Sequence, residues 1–267
     1  MDRLFLARIV LSFFLAGAWI ALVTLLAERL GSRLGGLFSN LPSNILISLI
    51  FIAVSNDVHF VKGMMPAVPL GMLIDTVFLL VMMLFLKYGL TLSLVMSVSS
   101  WAVLTLVAAK LPPSGMWLSV LIYFAGTIAL YIIADKVMRV IPVPGSGKRY
   151  RTWQIVMRAA FAGAIVGSVV MISGYLPSYL TGIISTFPAV LLSTMVILHL
   201  NQGPAFARAT GKILILSSSN IIVYAVCVYY MFPAYGIIPG TVVSFLVSFA
   251  WVLLLGPVTG LLEKNNK

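Results

Sequence analysis

Charge is what this chain has least of. Only 9% of its 267 residues are Asp, Glu, Lys or Arg, where a soluble domain carries about 25%. Water cannot solvate so uncharged a surface, and no stretch is both long and polar enough to form a soluble domain. Acidic residues are the scarcest, six against 17 Lys and Arg, which gives a formal charge of +11. That excess would suit nucleic acid if it formed a patch. The basic residues instead sit between apolar runs, where they act as topology signals, so nucleic acid is excluded as a partner. Cys227 is the single cysteine, so neither an internal disulfide nor a cysteine metal site is available. The two histidines, His59 and His199, are far apart with no carboxylate cluster, and no metal or cofactor is expected. The chain has no nucleophile–histidine–acid set in a recognisable context and no paired carboxylates. Alternation of apolar and polar residues is also missing, which excludes a membrane β-barrel.

What the chain has is long apolar runs, with 61% hydrophobic residues overall. The expected fold is an all-α polytopic membrane protein, since helices satisfy their own backbone in lipid. Nine spans are expected, at about 4–26, 35–55, 65–86, 89–109, 115–134, 153–174, 181–200, 212–232 and 236–261. The first is longer than a signal-peptide core and has a counterpart later, so it is expected to be retained.

Two stretches resemble one another: Leu34-Gly35-Gly36-Leu37-Phe38-Ser39-Asn40-Leu41-Pro42-Ser43-Asn44 and Leu180-Thr181-Gly182-Ile183-Ile184-Ser185-Thr186-Phe187-Pro188-Ala189-Val190. A shift of 146 residues places Leu34 on Leu180, Gly36 on Gly182, Ser39 on Ser185 and Pro42 on Pro188. The same ungapped shift places Arg3 on Arg149, Ala16-Gly17-Ala18 on Ala162-Gly163-Ala164, Phe60 on Phe206 and Lys62 on Arg208. One residue off that register, Tyr88-Gly89 meets Tyr235-Gly236. Several matches in one register point to duplication. Residues 1–110 then form a first four-helix repeat, 111–148 a connector helix and basic cytoplasmic loop, and 149–267 a second four-helix repeat. A single connecting span inverts the second repeat against the first, a 4+1+4 inverted repeat.

The charges test that topology independently. With the loop carrying Lys136, Arg139, Lys148, Arg149 and Arg151 on the cytoplasmic side, Arg29, Arg33, Lys87, Arg208, Lys212, Lys264 and Lys267 also fall inside. Arg3, Arg8, Lys62 and Lys110 fall outside. This split obeys the positive-inside rule and sets the N-terminus outside and the C-terminus inside, as in the cytoplasmic (inner) membrane of a prokaryote. The Gly145-Ser146-Gly147-Lys148 segment in that loop is not a phosphate-binding loop, because Pro142 and Arg149 occupy positions that need Gly and Ser or Thr.

The second and seventh spans are too short to cross a bilayer unless their Gly/Ser/Pro stretches also lie at membrane depth. Broken segments at matching positions of two halves mark a transporter's binding site. The candidate substrate-binding residues are accordingly Ser39, Asn40, Pro42, Ser43, Ser185, Thr186 and Pro188, with Ser219 and Asn220 from the polar run Ser217-Ser218-Ser219-Asn220. Asp75 lies well inside the third span, where a carboxylate costs at least about 2.5 kcal/mol; it is the candidate coupling residue, a proton carrier. Asn220 falls one residue from it in the repeat register. Arg158, one turn into the sixth span, is expected to snorkel to the cytoplasmic face.

The stretch Ser178-Tyr179-Leu180-Thr181-Gly182-Ile183-Ile184-Ser185-Thr186-Phe187-Pro188-Ala189 resembles the Tyr-x-x-Gly-x-x-x-x-Phe-Pro region of the GlpM-like small bacterial inner-membrane proteins, and the surroundings of Gly203 and Tyr224 are similar to it as well. Those are four-span chains, so the resemblance implies a duplicated, fused form with a connector helix. In the first half Leu41 replaces the Phe. The resemblance implies an inner-membrane protein and little about substrate.

The leading functional expectation is a small secondary transporter or lipid flippase with alternating access, its substrate an anionic group held by half-helix N-termini and its coupling carried by a proton on Asp75. A membrane enzyme acting on a lipid-linked substrate and a non-transporting assembly subunit are the alternatives. Membrane lipids and a small-molecule or lipid substrate are the expected partners, and a homo-oligomer is compatible with all three readings.

Overall fold

The computed structural model describes residues 3–29, 41–141, 143 and 151–264, and every regular element among them is helical. Eleven helices follow in order: α1 (Arg3–Arg29), α2 (Ser43–Ser55), α3 (Val58–Met64), α4 (Val68–Phe85), α5 (Leu90–Ala108), α6 (Met116–Ile132), α7 (Thr152–Ser173), α8 (Ser178–Ser185), α9 (Ala189–Ser217), α10 (Ser219–Tyr235) and α11 (Ile237–Lys264). Seven helical stretches among the described residues are long and apolar enough to cross a membrane, and α2 is a shorter apolar helix. The chain is a helical, multi-pass membrane protein.

The breaks fall where the backbone chemistry demands them. Pro42 and Pro188 each occupy the N-cap of the helix that follows, with φ/ψ of −75°/54° and −77°/48°. Between α8 and α9 the residues Thr186 to Pro188 leave the helical path, as the missing proline N–H requires. The corresponding stretch before α2, including Ser39 and Asn40, lies outside the described residues. After α2, Asp57 caps α3 by accepting a 2.7 Å hydrogen bond from the Phe60 N–H. A 3₁₀ turn at Met65–Ala67 leads from α3 into α4, where Pro66 and Pro69 remove two donors. Gly89 and Gly236, with φ of +125° and +82°, join α4 to α5 and α10 to α11. Only glycine adopts these conformations without strain.

Two boundaries differ from the sequence expectation. The helical run containing Asp75 starts at Val58, not near residue 65. The expected loop between the seventh and eighth spans is helical: α9 runs through it, bending at Gly203 (φ 85°) and interrupting at Ser218. Pro204 directly follows the bend, a place where its absent N–H costs little, so the polar Asn-Gln-Gly-Pro run makes a kink and not a loop.

The helices α1 and α7 cross closely, and glycine makes this possible. A Cβ on Gly17 would lie 3.0 Å from the Ala159 carbonyl oxygen, and one on Gly163 would lie 2.5 Å from that of Phe13. Beside this crossing, Ile45, Leu49 and Ile52 of α2 form a dry core with Val166, Val169 and Val170 of α7 and with Tyr224 and Val228 of α10. A second core joins Phe78, Met82 and Met83 of α4 to Met195, Leu198 and Ile215 of α9. The helices α5 and α6 turn large apolar side chains such as Leu106 and Leu121 outward, as a lipid face requires.

One ion pair, its Lys212 buried and its Asp135 half-buried, fastens the π-helical turn Ile133–Val137 that follows α6 to α9. Lys212 Nζ donates to Asp135 Oδ1 at 2.6 Å and to the Val140 carbonyl at 3.0 Å, beside the Tyr131 ring. Asp135 also meets the exposed Lys136 at 3.1 Å. Removing Asp135 leaves the buried ammonium only the Val140 carbonyl, whereas removing Lys212 leaves Asp135 its second, exposed partner. Asp135→Asn should therefore cost about 2 kcal/mol, and more than Lys212→Met, in thermal or denaturant unfolding of the purified protein in detergent. At the α1–α7 crossing, Gly163→Ala should cost about 1–3 kcal/mol by overpacking. Gly167→Ala, whose Cβ would have its nearest neighbour at 3.5 Å, should change the melting temperature far less.

Candidate functional site

A cavity of about 130 Å³ lies between the Pro42 and Pro188 breaks. Its wall is built from α1, the start of α2, the middle of α4, α7, the α8–α9 break and the α9–α10 junction. Four residues of the first half that line it have repeat counterparts that line it too: Leu41 with Phe187, Pro42 with Pro188, Asn44 with Val190, and Ile45 with Leu191. Further along the same register, Met72 and Ser218, and Asp75 and Ile221, do so as well.

Of the residues expected from sequence, Pro42, Asp75, Ser185, Thr186, Pro188 and Asn220 are brought together on this wall. Ser217 and Ser218 join them. Ser219 is not among the residues that line the cavity; its hydroxyl accepts a 3.1 Å hydrogen bond from the Trp251 indole. The reason is helical geometry: at the start of α10 consecutive residues point about 100° apart, so Ser218 and Asn220 can face inward only with Ser219 turned elsewhere. Ser39 and Asn40 and the side chain of Ser43 lie outside the described residues. Gly71 lets α4 approach the α8–α9 break, because a Cβ there would overlap the Thr186 side chain.

Arg158 is the residue that sequence reasoning misplaced. It is buried, with 6% of its surface exposed, and lines the cavity instead of snorkelling outward. The periodicity of α7 carried a signal for this. Arg158 follows Ile155 by three residues and precedes Ala162 by four, and Ile155, Ala162, Val166 and Val169 are the buried stripe of that helix.

The donors aimed at the cavity are cationic or backbone groups. Helices α2 and α9 both begin on its wall without a side-chain cap bond. Each start carries the positive end of its helix dipole, equivalent to about half a charge, and the first N–H of α9, on Ala189, donates to the Phe187 carbonyl at 2.7 Å. Arg158 adds a full positive charge. The hydroxyls contribute differently. Ser185 donates to the Gly182 carbonyl at 2.7 Å, Thr186 to that of Ile183 at 2.8 Å and Ser218 to that of Ile215 at 2.9 Å. In this conformation they present lone pairs, not hydrogens, to the cavity.

Asp75 is 2% exposed, and its Oδ1 makes no hydrogen bond. The Trp101 indole of α5 lies beside the carboxyl. Tyr123 of α6 is close by, its hydroxyl 3.1 Å from Ser218 Oγ. Among the described residues, ion pairs join Asp135 to Lys136 and Lys212. No group of three or more His, Cys, Asp or Glu able to hold a metal occurs among the described residues.

Compared with known proteins, residues 9–111 match the model of a family described as a protein of unknown function (DUF3147). No curated protein and no solved structure matches the chain.

Because the Asp75 carboxyl satisfies no structural partner through Oδ1, Asp75→Asn should leave folding intact. Its stability should stay within about 1 kcal/mol of wild type, read as thermal unfolding and as a monodisperse elution in detergent. A loss of several kcal/mol would make Asp75 a structural residue.

Proposed function

We propose that this protein is a secondary transporter of the cytoplasmic membrane that works by alternating access, carries an anionic substrate through the cavity between its two proline breaks, and uses Asp75 as its proton carrier. The observation that carries this reading is the make-up of the cavity: six pairs of lining residues are related by one sequence shift, so the space lies where two related halves meet. The reciprocal contacts of Gly17 with Ala159 and of Gly163 with Phe13 support a two-fold relation, since 17 and 163, and 13 and 159, are each one shift apart. The matched angles at Pro42 and Pro188 and the positive φ at Gly89 and Gly236 add to it. The match of the family of unknown function to residues 9–111 coincides with the first of these units. We read the two units as inverted, with the N-terminus outside, on the charge distribution.

The two halves differ where alternating access needs them to differ. Ile20, Val23 and Thr24 of α1 line the cavity. Their counterparts Val166, Val169 and Val170 of α7 are sealed in the dry core against Ile45, Leu46 and Leu49. With the C-terminal end of α1 at the cytoplasmic side, the open half faces the cytoplasm and the closed half faces out. Exchange of the two arrangements moves the site from one side to the other. On the closed side Asn56 donates to Ser173 at 3.1 Å; this pair is the candidate outer latch.

Access to the site can be measured without knowing the substrate. On a Cys227→Ser background, Ser217→Cys should react with a membrane-impermeant maleimide added from either side in oriented vesicles, fastest from the cytoplasmic side. Protection from both sides would support a close-packed assembly subunit. Labelling from one side only, unchanged when the outer latch is removed by Asn56→Ala, would rule out alternating access.

A further inference from the structure

We infer that Trp101 and Tyr123 are positioning residues that turn the loss of the Asp75 proton into a movement of α9, because each holds one end of that helix and each is a donor that the ionised carboxyl claims. This deepens the transporter reading and rests on it. Both ends of α9 lie on the cavity wall, Ala189 at its start and Ser217 at its finish. Just before the start, the Trp101 ring packs edge to face with Phe187, their centroids 4.8 Å apart. Just after the finish, the Tyr123 hydroxyl lies 3.1 Å from Ser218 Oγ. Asp75 stands beside both aromatic groups, and its Oδ1 makes no hydrogen bond. One carboxyl thus borders the two side chains that tie α9 to α5 and α6.

Counting protons fixes the direction of these hydrogen bonds. The Ser218 hydroxyl has one, and it goes to the Ile215 carbonyl at 2.9 Å. Toward Tyr123 it can only accept, so Tyr123 gives its single proton to Ser218 and turns lone pairs to its other neighbours. A carboxylic acid at Asp75 fits beside those lone pairs, since it brings a proton of its own. A carboxylate only accepts. The donors within its reach are the Trp101 N–H, which is unbonded, and the Tyr123 hydroxyl once it turns. A hydrogen bond to an ionised group is roughly twice as strong as a neutral one, so the carboxylate takes Tyr123 from Ser218. That turn undoes the tie at the residue where α9 gives way to α10. The same ionisation draws the indole, and with it the ring against which Phe187 packs at the Pro188 break. The titratable and charged groups around Asp75 are Tyr123 of α6 and, on the same wall, Arg158 of α7, itself engaged. Tyr179 of α8 packs in the core beside Ile74, and Tyr224 of α10 belongs to the core that includes Met72. The wall positions of α1, α2, α8, α9 and α10 carry no titratable side chain, and Lys212 of α9 is engaged with Asp135. With its proton on, Asp75 leaves both ties in place; when the proton leaves to the cavity, both are drawn off and α9 shifts.

The test uses purified full-length protein in lipid nanodiscs on a Cys227→Ser background, with nitroxide labels at Leu106→Cys of α5 and Leu200→Cys of α9, both exposed positions. Electron–electron distance measurements on a series of acidic to alkaline samples read the position of α9. Infrared difference spectra of the same series read the carboxylic C=O band of Asp75, assigned by its absence in Asp75→Asn. The expected result is two distance populations, offset by about 2 Å, whose weights exchange as the Asp75 band disappears. Asp75→Asn should hold the acid population at every pH, because the amide keeps a donor and cannot ionise. Tyr123→Phe should hold the alkaline population at every pH, having lost the tie to Ser218, and Trp101→Phe should weaken the response. Ser218→Ala removes the acceptor and leaves Tyr123 in place, so it should match Tyr123→Phe and serves if that variant does not fold. Loss of the Asp75 band with unchanged distances in wild type would overturn the relay, as would a full response surviving in Ser218→Ala, and both leave Asp75 as the proton carrier. An Asp75 band that is missing, or unchanged across the series, would overturn the carrier and the relay together. The labelling experiment above decides separately whether the protein alternates.

Discussion

Much of this structure depends on two helix starts, at Pro42 and Pro188, that open on one cavity. A helix start leaves its first N–H groups without intrahelical partners, and in lipid such groups must be met by protein or by a cavity. Pro42 and Pro188 hold nearly the same backbone angles, and the fold turns both starts toward one space instead of toward lipid.

The sequence carried more of the site than of the fold's boundaries. The residues Pro42, Asp75, Ser185, Thr186, Pro188 and Asn220 could be chosen from repetition and from the cost of polarity in lipid, and they converge on the cavity. Those two signals are strong because apolar surroundings make each exception expensive. The helix limits were harder to read. Gly203 and Pro204 have the chemistry of a loop, yet α9 bends through them, since a kink needs the same residues as a turn and costs less backbone exposure. Ser219 shows a different limit. A polar run of four residues on a helix cannot point one way, and composition alone does not say which members face inward. Arg158 was misjudged because nearness to a span end was weighed above its position on the inward stripe of α7.

The scaffold and the charges follow different rules. The pairs that shape the cavity occur in both halves, but Asp75 stands opposite Ile221 and Arg158 corresponds to Ser12. Duplicating either charged residue would have added a second buried charge to a small volume, at several kcal/mol each, with no partner to offset it. In the proposed duplication, then, the framework that must rock about a two-fold axis is kept in two copies, whereas the groups that bind and titrate are kept in one.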